Sequence, residues 1–263
     1  MGRFVNASPS AARSLTRGCL ALAAAGLVLA GCHTPGSSPP SGNGSSSPTP
    51  NPGTSTPSSN AGGGTTLFPY AVGDTWVYVE TLGTDHGTTT NKVTAVEPVA
   101  DGHRVTFSTV ANVAGLPSTP TTLTYIFHPD GSITVPFAQL GNGSVTLKSG
   151  SIVWPPTAVI DSGKPTRSTL VVQIKTAGLS STVHADVTVK GGGPQSVTVP
   201  AGTYNATVVD ETIAEKVEGI SVTTTVRTWL APGVGPVKTE VLASSLGASR
   251  STVTDELKSF NKG

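Results

Sequence analysis

The five histidines are the side chains best suited to bind a metal or to move protons near neutral pH, and they are scattered along the chain. None has the His-x-His or His-Glu-x-x-His spacing that directs two imidazoles at one metal ion. His184 and Asp186 share one face of a predicted strand and could form an acid–base couple. The other face of that strand is uniformly apolar, so the couple is expected to face solvent. The sequence therefore predicts no metal site and no cofactor.

The sequence evidence for a catalytic nucleophile or a catalytic pair of carboxylates is equally weak. No Gly-x-Ser-x-Gly motif occurs, and Gly141-Asn142-Gly143-Ser144 is not followed by a glycine. Two neighbouring carboxylates can hydrolyse glycosides, which draws attention to Asp210-Glu211 and Asp255-Glu256. Because adjacent residues of a strand face opposite sides of a sheet, neither pair can converge on one substrate. We therefore expect the protein not to be an enzyme.

Covalent chemistry is predicted at one cysteine. Residues 1–31 contain a basic leader with Arg3, Arg13 and Arg17, then a short apolar core from Leu20 to Ala30. About 11 apolar residues are too few to cross a bilayer, so this segment is interpreted as a signal peptide. It ends in Leu29-Ala30-Gly31-Cys32, which resembles the bacterial lipobox. That resemblance implies cleavage before Cys32 and acylation of its thiol.

Removal of the signal peptide changes the charge of the chain. Taking three arginines from 16 basic residues leaves 13, against 15 acidic residues. So little charge, with no basic patch, excludes a nucleic-acid partner. Gly191-Gly192-Gly193 lacks the Lys-Ser/Thr of a phosphate-binding loop and is predicted to be an ordinary loop. Because the other cysteine, Cys19, is lost with the signal, the mature chain has neither a disulfide nor a second thiol.

Residues 32–66 form the acylated cysteine and a predicted disordered linker. Ser, Gly, Pro, Thr and Asn dominate, and no Asp, Glu, Lys or Arg occurs between Cys32 and Asp74. Such a segment cannot bury enough apolar surface to offset the entropy lost on ordering. As a flexible coil it would span roughly 30 Å on average. We interpret it as a spacer between a membrane and a folded domain.

Residues 67–263 are predicted to form a single antiparallel β domain. Apolar and polar residues alternate, most clearly in Thr182–Lys190, where Val183, Ala185, Val187 and Val189 share one face. Asp101-Gly102 and Asp130-Gly131 each separate two strand-like runs and are typical of tight hairpins. About a dozen strands follow, and no stretch has the period of an amphipathic helix. Short connections require antiparallel pairing, so we expect an all-β fold: one curved antiparallel sheet or open barrel, with a sandwich as the alternative.

Two motifs are more specific. The first is Phe68-Pro69-Tyr70 followed by Gly73-Asp74-Thr75-Trp76-Val77-Tyr78. The second comes in two parts, Val199-Pro200-Ala201-Gly202-Thr203-Tyr204 and Trp229-Leu230-Ala231-Pro232-Gly233-Val234-Gly235-Pro236-Val237-Lys238. Together they resemble a group of bacterial envelope proteins, often lipoproteins, with a DUF3108-like or TapB-like domain. Pro236 stands where that pattern has an apolar residue. The resemblance implies an all-β envelope domain and brings no catalytic residues with it.

Aromatic residues of these motifs are the candidate ligand contacts: Trp76, Tyr78 and Trp229. Their first interpretation is structural, since large aromatic side chains usually pack in a core. Their second is contact with a bound ligand.

Two functions are consistent with these features. The first is a membrane-anchored, non-catalytic binding or structural module of the cell envelope, whose partners are the membrane and an unknown envelope protein. The alternative is a carrier of lipids or other hydrophobic ligands, which requires an interior larger than its own side chains can fill. In both cases the protein is exported and lipid-anchored, either to the outer face of the cytoplasmic membrane or to the outer membrane.

Overall fold

The computed structural model describes residues 67–113, 118, 120–135, 145–176, 179–217, 220–245 and 248–263. Cys32 and the linker lie outside these residues. The strands are β1 Thr75–Leu82, β2 Asp85–Val99, β3 Gly102–Val113, β4 Thr121–Phe127, β5 Ile133–Val135, β6 Val145–Gly150, β7 Ile152–Trp154, β8 Thr166–Thr176, β9 Leu179–Val199, β10 Gly202–Val217, β11 Ile220–Ala231, β12 Gly235–Ser245 and β13 Ala248–Asn261. A short helix, α1, covers Thr157–Asp161.

All these strands form one antiparallel sheet in the order β6-β8-β9-β10-β11-β12-β13-β1-β2-β3-β4-β5-β7. Most neighbours in the sheet are also neighbours in sequence, as expected for hairpin connections. The pairing of β13 with β1 differs, because it joins the last strand to the first. The sheet curves into a nearly closed barrel. The predicted all-β curved sheet or open barrel is therefore confirmed, and the two-sheet sandwich is excluded.

The sheet closes at a corner between β6 and β7. These strands are its two edges, yet only Ser151 separates them in sequence. The chain thus leaves one edge, where β6 pairs with β8, turns, and enters the other edge, where β7 pairs with β5. Gly150 makes the turn with a φ of 87°. A Cβ at this position would lie 1.9 Å from the Thr169 carbonyl oxygen, so only glycine fits this corner.

Alternation along the strands builds the interior. In β9, Val183, Ala185, Val187 and Val189 are buried, while His184 and Asp186 are exposed as predicted. The two Asp-Gly turns are also confirmed, because Gly102 and Gly131 have φ values of 133° and 86°. The alternation of apolar and polar residues along a strand therefore predicts which of its faces points into the barrel.

The lead-in before β1 packs against the aromatic core. The Phe68 ring lies 6.3 Å from that of Trp76, 6.2 Å from that of Phe107 and 5.7 Å from that of Phe127. Asp74 fixes this segment, since its carboxylate accepts the amide N–H of Ala71 at 2.7 Å and that of Gly263 at 3.0 Å. The first motif thus ties the start of the folded region to its C-terminal end.

The structure corrects the sequence prediction at Gly191-Gly192-Gly193. These glycines lie within β9, which continues past Lys190 to a length of 21 residues. Gly191 allows α1 to approach, because a Cβ there would lie 1.9 Å from the Ile160 carbonyl oxygen. Helix α1, which the sequence did not predict, is a single turn after Pro156 that buries Ile160. Within the described ranges, no helix is long and apolar enough to span a bilayer.

Candidate functional site: buried carboxyl groups

The aromatic residues predicted as ligand contacts are parts of the core. Trp76 is 2% exposed and donates its indole N–H to the Val234 carbonyl oxygen at 2.6 Å. Tyr78 is buried and donates its hydroxyl to the Pro236 carbonyl oxygen at 3.0 Å. Both side chains line an interior cavity of about 20 Å³. That volume suits one water molecule.

Trp229 lies elsewhere. It stands opposite Lys238 in the β11–β12 pairing, and the Lys238 ammonium nitrogen lies 5.4 Å from the ring centroid. The indole N–H is donated to the Gln195 side-chain oxygen at 3.3 Å. The structure therefore brings Trp76 and Tyr78 together at one cavity and places Trp229 beneath a charged side chain.

The barrel interior contains carboxyl groups that the sequence analysis overlooked. Glu80 in β1 and Asp255 in β13 stand directly opposite each other in the strand register, and both are buried. Glu80 accepts the hydroxyl of Thr89 through Oε2. Its Oε1 and the Oδ1 of Asp255 are buried without a hydrogen-bond partner among the described residues. Like charges directly opposite each other destabilise a sheet, so this pair is costly when both groups are ionised.

Two further carboxyl groups lie along β10. Glu211 is fully buried, and its Oε2 accepts the indole N–H of Trp154 at 2.6 Å. Glu215 is also buried, and neither of its carboxyl oxygens has a hydrogen-bond partner in the described part of the chain. Burial raises the pKa of each of these two glutamates to about 7. At neutral pH, a large fraction of each group is therefore uncharged in the folded state.

Burial also shifts the pKa values of Glu80 and Asp255 and of two buried tyrosines. Burial raises the pKa of Asp255 well above its usual range, and the nearby Glu80 adds to this effect. The pKa of Glu80 itself is raised by burial, although the Thr89 hydrogen bond lowers it in part. The pKa values of Tyr78 and Tyr125 are also raised, first by burial and then by nearby Asp255 and Glu211 respectively. Burial therefore favours the protonated, neutral form of each of these side chains.

This arrangement can hold protons more readily than it can hold metal. Among the described residues, no three His, Cys, Asp or Glu side chains come together in a way that could bind a metal ion. A protonated carboxyl, by contrast, can donate a hydrogen bond to the unpartnered oxygen of its neighbour. The chemical capacity of the interior is thus to store protons and hydrogen-bond donors.

The residues next to two of these acids in sequence, Asp210 and Glu256, point outward and form ion pairs on the outer surface. Asp210 accepts two bonds from the Arg227 guanidinium, at 2.7 and 3.0 Å. Glu256 contacts the Lys238 ammonium at 3.3 Å. Asp210-Glu211 and Asp255-Glu256 therefore point to opposite sides, as the sequence analysis predicted. The outer surface also has an open depression of about 490 Å³, lined by Arg167, Ser168, Thr169, Asp186, Val187 and Thr188.

A signal for the buried acids was present in the sequence. Glu80 continues the inward alternation of Trp76 and Tyr78, and Asp255 stands between the inward residues Val253 and Leu257. A carboxylate at an apolar position of an alternating strand marks either a ligand site or a buried acid. Nothing in either segment indicates that β1 and β13 pair, so the juxtaposition itself could not be predicted.

The fold and the interior together define an all-β protein built on one nearly closed antiparallel sheet with a partly acidic interior. Residues 141–245 match the family model described as DUF3108-like, which confirms the resemblance found from the motifs. This range contains both parts of the second motif and ends before β13. No curated protein matches the chain by sequence.

Two solved structures are similar to this chain. One is a candidate lipoprotein from Parabacteroides distasonis ATCC 8503, with 17% identity, a TM-score of 0.53, and coverage of 75% of this chain and 99% of the other. The second is a candidate exported protein with a YmcC-like fold from Bacteroides fragilis NCTC 9343, with 16% identity, a TM-score of 0.48, and coverage of 74% and 98%. At this identity, the first similarity shows a shared fold.

Proposed function

We propose that this chain is a membrane-anchored lipoprotein of the bacterial envelope and a non-catalytic binding or structural module. The lipobox at Cys32 and the uncharged linker support anchoring and export. The name of the similar Parabacteroides structure, a candidate lipoprotein, is consistent with this placement. The anchor holds the β domain close to a membrane, where its outer surface is available to partners.

The packed interior is the observation on which this proposal depends. Most inward side chains pack into one core, a second and smaller cluster contains Val226, Val241 and Val253, and the cavity beside Tyr78 measures about 20 Å³. Pockets that hold small organic ligands are usually about 300–1,000 Å³. An acyl chain therefore does not fit beside Tyr78 without expelling core residues. Recognition is assigned instead to the outer surface of the barrel.

The alternative, a carrier of lipids or other hydrophobic ligands, has less support. Its ligand would have to share the interior with the carboxyl groups of Glu80, Glu211, Glu215 and Asp255. An apolar chain offers these groups no hydrogen bonds, so the oxygens that lack a partner would stay without one. The depression over β8 and β9 is larger, but five of its six lining residues are polar and it is open to solvent.

Analysis of co-purified lipid distinguishes the two functions. The full-length protein is extracted from its host in mild detergent, and noncovalently bound lipid is removed with organic solvent and quantified. The proposed module releases no stoichiometric lipid, because the cavity beside Tyr78 has no room for it. One equivalent of a defined lipid per protein would contradict the proposal and favour the carrier. A heat-unfolded sample of the same preparation is the control for lipid carried over with detergent.

A further inference from the structure

The joint between the first and last strands of the barrel contains two opposed acids. Strands β1 and β13 pair along Thr75–Leu82, and this pairing unites the two ends of the folded region within the sheet. Glu80 and Asp255 face each other across it, 2% and 5% exposed. Each has one oxygen without a partner among the described residues, Oε1 in Glu80 and Oδ1 in Asp255. The second Glu80 oxygen is taken by Thr89.

Within the described part of the chain, no buried positive charge compensates this pair. The buried charged residues there are all acidic. The Lys238 ammonium near the joint belongs to the outer face, where it pairs with Glu240 and Glu256. Two ionised carboxylates would thus repel each other in a region from which water is excluded. A single proton between them would remove the repulsion and satisfy both unpartnered oxygens with one O–H···O bond.

We propose that Glu80 and Asp255 share one proton across the β1–β13 pairing, and that loss of this proton loosens the joint between the first and last strands. The device is independent of the proposed function, since it concerns the stability of the barrel and not a ligand. Because β1 follows directly after the lead-in, a loosened joint frees the end of the domain nearest the linker.

Other titratable groups near the pair do not replace this proton. Among the side chains that the structure describes, the remaining ionisable groups that face the interior, or that lie on the same and neighbouring strands, are Tyr78 on β1, Tyr125 on β4, Glu211 and Glu215 on β10, Asp85, His86, Lys92 and Glu97 on β2, Lys238 and Glu240 on β12, and Glu256 and Lys258 on β13. Tyr78 donates its hydroxyl to Pro236 and so gives no proton to the pair. Glu211 and Glu215 lie on β10, three strands from β13 in the sheet.

The substitution Glu80→Gln tests the device, because the amide mimics a permanently protonated acid. Its oxygen can still accept the Thr89 hydroxyl, and its N–H can donate to Asp255 at any pH. Hydrogen exchange of the β1 and β13 amides is measured by mass spectrometry on the full-length protein at pH 5 and pH 8, corrected for intrinsic exchange. Between pH 5 and pH 8, the protection factors of these amides are expected to fall at least tenfold more in the native protein than in Glu80→Gln. A tenfold difference corresponds to a difference of about one pKa unit between the closed and the opened joint.

Two further measurements complete the test. Glu97→Gln changes an exposed acid of β2 and is expected to behave like the native protein. Carboxyl carbon shifts of Glu80 and Asp255 in the native protein are expected to titrate in two separate steps, as for coupled acids. The proposal is overturned if Glu80→Gln and the native protein lose protection equally. It is also overturned if both carboxyls titrate together near their ordinary values, a result that requires no variant to fold.

Discussion

At the residue scale, the unusual feature of this protein is the presence of acidic side chains inside the barrel. A β-barrel interior is normally filled with apolar side chains, whereas here Glu80, Glu211, Glu215 and Asp255 occupy inward positions. Each loses hydration on folding, which raises the pKa of its carboxyl group. The folded protein therefore holds protons that its unfolded chain would release below neutral pH.

Replacement of Glu211 by Gln is expected to remove part of the pH dependence of stability. Below about pH 4.5, the group is protonated in both the folded and unfolded states. As pH rises toward 7, only the unfolded chain ionises, so the free energy of unfolding falls until the folded group ionises as well. Since one pKa unit is worth about 1.36 kcal/mol, the shift from 4.5 to about 7 corresponds to a loss of about 3 kcal/mol. Urea unfolding at pH 4.5 and pH 7.5 measures it.

The amide introduced by Glu211→Gln can still accept the Trp154 indole N–H, so the variant retains that hydrogen bond. In Glu211→Gln, the decrease in stability between the two pH values should be smaller than in the native protein. The exposed Glu97→Gln variant serves as the control and should match the native protein. An equal decrease in Glu211→Gln and the native protein would show that Glu211 titrates normally in the folded state.

At the scale of elements, closure of the sheet depends on a corner and not on a continuous strand pairing. Gly150 turns the chain from β6 on one edge to β7 on the other. This device brings together the two edges that would otherwise invite pairing with other chains. The sequence predicts a β-rich domain here but does not reveal the corner, because the clash that requires glycine comes from Thr169 in another strand.

Substitution Gly150→Ala is expected to destabilise the protein more than Gly83→Ala. Both glycines have positive φ, 87° and 61°, and each substitution incurs a backbone strain of about 1–3 kcal/mol. At Gly150 the new Cβ also collides with the Thr169 backbone, whereas nothing among the described residues lies within 4 Å at Gly83. Urea unfolding of the two variants at one pH measures the difference. Equal losses would argue against a steric requirement at the corner.

At the scale of the whole molecule, the chain consists of three successive parts: a predicted signal peptide, a predicted linker and the β domain. Asp74, at the end of the lead-in, accepts the amide N–H of Gly263 at 3.0 Å, so β1 begins beside the end of β13. Two or three acyl chains on Cys32 would hold the assembly stably on a membrane, since each buried CH₂ contributes about 0.8 kcal/mol.

Replacement of Cys32 by Ala is expected to release the protein from the membrane fraction. The physical reason is the loss of the acyl chains predicted on Cys32, whose buried CH₂ groups supply the membrane affinity. Fractionation and immunoblotting of host cells measure the distribution. Cys19→Ala is the matched control, since Cys19 lies in the predicted signal peptide and its replacement should leave attachment unchanged. Unchanged attachment of the Cys32→Ala variant would refute the lipoprotein assignment.

Sequence alone determined the fold class and the inward face of most strands. Alternation in β9, the Asp101-Gly102 and Asp130-Gly131 turns, and the core position of Trp76 are local properties, which neighbouring residues encode through pleat geometry and backbone conformation. The resemblance to DUF3108-like domains was likewise carried by short motifs.

Tertiary structure alone decided which distant residues meet. The Glu80–Asp255 pairing, the Trp154–Glu211 hydrogen bond and the close approach of Ile160 to Gly191 join residues far apart in sequence. Such contacts depend on strand order and register. No single segment encodes these properties, because they result from many weak contacts that form together. The buried acids were therefore visible as isolated exceptions to alternation, but their chemistry emerged only when the first and last strands came together.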